Sequence, residues 1–157
     1  MVLGEIKNAV LPRIFFLVFT MIATTAAPAV LAQPYSIIVN VTNNYAASDD
    51  EMRQLIKRLF LKQETDWPNG ELARAFGRDP KSSEQNVFAE KILAMNTAEI
   101  ARHWLGLKQK TGETPPRSIN STRMLLKTVE KYPGAFGLVD EKTAKELPNT
   151  VKILFSF

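Results

Sequence analysis

Between residues 36 and 60 the hydrophobic pattern changes period, and that change limits the folds open to the chain. Ser36-Ile37-Ile38-Val39-Asn40-Val41 is β-branched and mostly apolar, the composition of a buried strand. Asn43-Asn44-Tyr45 breaks it. Ser48-Asp49-Asp50-Glu51 then reads as a capping box, in which the Ser48 hydroxyl and the Glu51 carboxylate satisfy free first-turn amides. Behind it Met52, Leu55, Ile56, Leu59 and Phe60 recur at helical spacing as one broad apolar stripe. A buried strand running into an amphipathic helix calls for a sheet covered by helices.

The rest of the chain repeats the alternation. Trp67-Pro68-Asn69-Gly70 is a tight turn with Trp67 as a core plug beside it, and Leu72 to Phe76 reads as a short strand. Gly77-Arg78-Asp79-Pro80-Lys81 is a loop, because Pro80 pushes Asp79 out of helical geometry. Ser82 or Ser83 caps a second helix, with Gln85 completing a box from Ser82 and Phe88, Ile92 and Met95 on one face. A fresh cap at Asn96 opens a third helix that turns Ile100, Trp104 and Leu107 inward and ends near Gly112. Pro115 to Ile119 is extended. Ser121 caps a fourth helix with a stripe of Met124, Leu125, Thr128, Val129 and Tyr132, and Pro133-Gly134 terminates it. Ala135 to Val139 is a short buried strand. Val151, Ile153, Phe155 and Phe157 alternate with Lys152, Leu154 and Ser156, as in a strand with two different faces. The expected architecture is α/β, with a mixed sheet of about four to five strands flanked by helices.

The N-terminus follows another logic. Lys7 and Arg13 precede the apolar run Ile14 to Ala23, and small residues follow as far as Val30-Leu31-Ala32. That is the layout of a secretory signal peptide cut after Ala32, which makes residues 1–32 the leader and 33–157 the folded domain. The competing reading is an uncleaved anchor, since Ile14 to Ala32 nearly reaches spanning length; Pro28 and Thr24-Thr25-Ala26-Ala27 dilute it near the cut. Periplasmic or secreted localisation is expected. The absence of cysteine agrees with an oxidising compartment, and it excludes disulfides, thiolate zinc sites and a cysteine nucleophile.

The formal net charge of +4 is too small for a nucleic-acid partner, which calls for a clustered basic face. Lys57, Arg58 and Lys62 are the solvated side of the first helix. The single histidine, His103, sits beside the inward-facing Trp104 and reads as a boundary residue. No metal spacing, nucleophile elbow or phosphate-binding P-loop is present. Neither an enzyme nor a cofactor is expected.

The order of motifs resembles the phosphate-binding proteins of ABC transporters, which have the type 2 periplasmic-binding fold. Arg58-Leu59-Phe60-Leu61-Lys62 with Trp67-Pro68-Asn69-Gly70 is similar to the family's "IFLGK…W.DG". Pro133-Gly134-Ala135-Phe136-Gly137-Leu138-Val139 is similar to its "PGAIGYV" and is the most specific part. Gly134 suits a left-handed helix closure, and Gly137 inside an apolar strand suggests close backbone approach. The family's anion loop reads "RSDGSGTT" and leads into a helix. Here the matching stretch is Arg78-Asp79-Pro80-Lys81-Ser82-Ser83-Glu84-Gln85, with Ser83 for a glycine, Glu84 for a threonine and Pro80 for the motif aspartate.

The resemblance implies an exported solute-binding-like protein of a single lobe, taking phosphate or another small oxyanion through Arg78, Ser82, Ser83 and the amides of the following helix. Glu84 opposes this: at about 4 Å a second negative charge costs on the order of 1–4 kcal/mol. A capping role for Ser82, Ser83 and Glu84 therefore stands beside the ligand role. Since such proteins close two lobes on a ligand, a second copy of the chain or another protein would have to complete the site. The alternative is a ligand-free interaction module that docks to a membrane sensor, receptor or transport assembly.

Overall fold

The computed structural model describes residues 34–157; the expected signal peptide and its cut after Ala32 lie outside the described residues. The first strand, β1 (Tyr35–Asn40), is buried at all six positions. It is sandwiched between helices, which is why its sequence is apolar without clean alternation. Tyr35, Ile37 and Val39 pack with the first helix, α1 (Asp49–Phe60), on one side, and Ile38 packs on the other. Asn40 ends the strand usefully: its amide donates to the Val129 and Glu130 carbonyls at 3.0 and 2.8 Å, satisfying the end of a helix on the second face.

The expected capping box forms at α1. Ser48 Oγ accepts from the Glu51 amide at 3.4 Å, and a Glu51 carboxylate oxygen accepts from the Ser48 amide at 3.0 Å. Met52, Leu55, Ile56, Leu59 and Phe60 are all buried, each contributing roughly 1.5–3 kcal/mol relative to exposure. At the other end, the His103 ring donates through Nε2 to the Leu61 carbonyl at 2.9 Å. His103 is a half-buried capping residue.

Four further strands complete a mixed sheet: β2 (Arg74–Gly77), β3 (Arg117–Ser118), β4 (Ala135–Asp140) and β5 (Val151–Ser156), in the order β3-β2-β4-β1-β5. β2 pairs in parallel with β3 and β4, whereas β1 is antiparallel to both β4 and β5. On one face lie α1, α2 (Ser83–Phe88) and the π-helical turn Ala89–Leu93; α4 (Thr122–Lys131) covers the other. The long α3 (Thr97–Thr111) and the short α5 (Glu141–Ala144) complete the element order.

Several local expectations are corrected. β2 starts at Arg74, not Leu72, because Leu72 is 51% exposed and bridges back to Asp66. Phe88 and Ile92 share the core as expected, but the π turn inserts a residue into the helical register and brings in fully buried Leu93. In α4, Leu125 and Val129 are buried while Met124 is 56% exposed, so the stripe is narrower than the sequence suggested. β5 carries a register shift opposite Ile37 and Ile38 that skips Leu154, so Val151 and Phe155 face opposite sides of the sheet.

Both glycines of the 133–139 segment are explained by space. Gly137 faces α4, and a Cβ there would lie 2.7 Å from Leu125 Cδ1. Gly134 is not left-handed; α4 closes instead through an extended Tyr132. A Cβ at Gly134 would strike the Leu72 carbonyl, which is why the position stays bare. Trp67 locks the same spot, donating from Nε1 to the Gly134 carbonyl at 2.9 Å with its ring edge-on to Phe136. Trp67 is the plug the sequence promised.

Candidate functional site

The topology selects one end of the sheet. After β2 the chain crosses to β3 on one side, then returns through α4 to β4 on the other. The carboxyl ends of β2 and β4 therefore flank a switch point, the place where open α/β sheets leave a crevice. Arg78 follows β2, Asp140 ends β4, and the N-termini of α2 and α4 lie close by. An open hollow of about 400 Å³ lies here, lined by Arg78, Asp79, Lys81, Ser82, Glu84 and Asn120.

The groups around it are turned largely on one another. Asp79 Oδ1 accepts from the Lys81 amide at 2.8 Å, and Asn120 donates to Asp79 Oδ2 at 3.4 Å. Ser82 is the N-cap of α2, its Oγ accepting from the Gln85 amide at 3.2 Å. The box expected from Gln85 does not close on Ser82. The Gln85 side chain reaches past it and accepts from the Arg78 amide at 2.8 Å, tying the start of α2 to the end of β2.

Arg78 is only 7% exposed. Its guanidinium donates through Nη1 to the Ile119 carbonyl and through Nη2 to Thr122 Oγ1, each at 3.0 Å. A Glu84 carboxylate oxygen lies 3.7 Å from Nη2. The arginine thus links the β2 end, the first turn of α2 and the entry to α4. Asp140, the N-cap of α5, has its carboxyl held below the usual aspartate value by Thr143 hydrogen bonds, with smaller help from the Arg78 and Lys142 charges.

Of the residues singled out from the sequence, Arg78 and Ser82 line the same hollow, whereas exposed Ser83 is not among its lining residues. Sequence reasoning missed Gln85 as a link to Arg78, and it missed Ile119, Asn120 and Thr122. The available signal for these was the Ser121 cap directly after an extended segment, which brings a second helix start to the sheet's edge. Among the described residues no group of three or more acidic or histidine side chains is placed to hold a metal ion.

No family model and no curated protein matches the chain. Solved structures do. An ABC-type phosphate transport receptor from Vibrio cholerae superposes with a TM-score of 0.57 at 17% identity, covering 78% of this chain and 45% of that one. PstS from Borrelia burgdorferi gives a TM-score of 0.58 at 12% identity, covering 78% of this chain and 46% of that one. The chain has the fold of a single lobe of a solute-binding protein. In particular the fold is PstS-like, and the chain spans less than half the length of these structures.

Proposed function

We propose that this protein is an exported component of a phosphate-type ABC transport system, a lobe of the solute-binding fold that carries no ligand of its own and works by docking to a membrane transporter or sensor protein. The observation that carries this reading is the engagement of Arg78. A guanidinium that is 7% exposed, spends two of its five donors on Ile119 and Thr122 and has a carboxylate 3.7 Å away is poorly placed to meet a soluble anion. Glu84 also places negative charge at the first turn of α2, where an oxyanion would gain most from the helix dipole. Export rests on the signal-peptide pattern and cleavage after Ala32.

A second reading keeps the ligand. Lys81, the Ser82 hydroxyl and the open hollow favour a small oxyanion held by Arg78 and Ser82, without Ser83, and completed by a partner surface. Thermal unfolding of the exported protein with phosphate, sulfate and molybdate separates the two. An anion at 100 times its dissociation constant adds about 2.7 kcal/mol of stability. The docking reading expects no shift with any of them; a phosphate shift that Glu84→Gln enlarges would replace it with the ligand reading.

A further inference from the structure

α3 is held to the fold by few side chains: Trp104, the His103 ring on the Leu61 carbonyl, and half-buried Ile100 against the core. Across its fifteen residues only Trp104 is buried, although Ile100, Ala101 and Leu105 share a stripe with it at helical spacing. Leu105 is 58% exposed. Beside this stripe runs a groove of about 490 Å³, within the size range of small-molecule sites. Phe60 and Gly77 contribute at its base, Ala89 faces α3 from the π turn, and Pro80 with Pro115 and Pro116 adds stiff apolar wall. The groove is distinct in chemistry from the charged hollow beside it. Its lining contains two cations and no carboxylate. One, Arg78, is engaged as described above; the other, Lys108, is exposed and has no ion pair among the described residues.

We infer that this groove is a binding site for an amphipathic monocarboxylate, an alkyl or aryl chain lying along α3 with its carboxylate at Lys108. Apolar walls on several sides with one unneutralised cation match a ligand of one apolar body and one negative end. A neutral hydrocarbon would leave Lys108 unused, and an amine would meet it as a like charge. Asn86, Thr97 and Ser118 supply further polar groups on the lining without adding charge. The inference goes beyond the docking reading and does not depend on the oxyanion hollow.

The test uses the exported protein with decanoate and decylamine, both below their micellar concentrations, followed by calorimetric titration and tryptophan emission. Decanoate is expected to bind at one site and to shift the emission of Trp104, and decylamine to bind far more weakly. Lys108→Glu replaces an attraction by a repulsion and is expected to weaken decanoate about tenfold. Leu105→Ser, which removes apolar surface at an exposed position on the groove without adding charge, is expected to weaken both amphiphiles without loss of folded protein. Three results would overturn the inference: no decanoate binding; equal binding of both amphiphiles unaffected by Lys108→Glu, which is non-specific adhesion; or self-association abolished by Leu105→Ser, which makes the groove a contact with a second copy.

Discussion

Replacing Arg78 by alanine distinguishes a clamp from a ligand residue. The wild-type guanidinium makes two charge-assisted hydrogen bonds at 3.0 Å and is only 7% exposed. Each such bond is worth about 1.5–3 kcal/mol net, but the hollow beside it would let water reach the abandoned Ile119 carbonyl and Thr122 hydroxyl, favouring the lower figure. The Glu84 carboxylate loses its partner as well; its side chain is 24% exposed, so rehydration absorbs much of that penalty. The sum is about 3 kcal/mol of lost stability. For a domain of this size that lowers Tm by about 10 °C. Urea titration of wild type, Arg78→Ala and Arg78→Lys measures it. Lysine keeps the charge without the fork that spans Ile119 and Thr122, so it should fall between the other two. Alanine within 0.5 kcal/mol of wild type, together with loss of an anion-induced stabilisation, would refute the clamp.

Two other perturbations probe the surrounding frame. Gly137→Ala sets a Cβ 2.7 Å from Leu125 Cδ1 and 3.2 Å from Cδ2 in a fully buried contact, and should cost about 1–3 kcal/mol. Adding Leu125→Val should recover part of that loss, which a double-mutant cycle by urea unfolding reads directly. The depressed carboxyl of Asp140 adds stability that is present above the unfolded aspartate value of 3.8 and lost as pH falls through its folded value. The stability gap between wild type and Asp140→Asn should therefore be present at neutral pH and shrink in acid below 3.8, as followed by pH-dependent unfolding.

The fold was legible wherever a single segment carries its own explanation. The α1 stripe and its capping box are complete within residues 48–60, so local chemistry sufficed. A mixed sheet of about four to five strands followed from the interleaving of apolar strands and amphipathic helices, and five strands are present. What escaped depends on chain from elsewhere. The switch of faces along β5 follows from a register shift against β1, more than a hundred residues upstream, and no alternation count within β5 can detect it. Gly134 is bare because of the Leu72 carbonyl, while its sequence context, directly after a helix and a proline, imitates a left-handed cap. The π turn breaks a regular pattern without any glycine or proline to announce it.

The same distinction governs the site. An arginine after a strand and a serine at the next helix start are the local signature of an anion loop, and both are present as Arg78 and Ser82. Whether that arginine faces a ligand or its own chain is decided by Ile119 and Thr122, which lie 41 and 44 residues further on. They reach Arg78 only because β3 pairs in parallel with β2 and α4 begins at the same edge of the sheet. The one local hint is Glu84, a carboxylate where the resembling family has a threonine. Its charge both supplies Arg78 with an internal counter-ion and makes the α2 N-terminus a poorer seat for a second anion. Glu84→Gln therefore couples the two readings: it should cost stability if the ion pair is structural, and it should open the hollow to phosphate if the seat is otherwise intact.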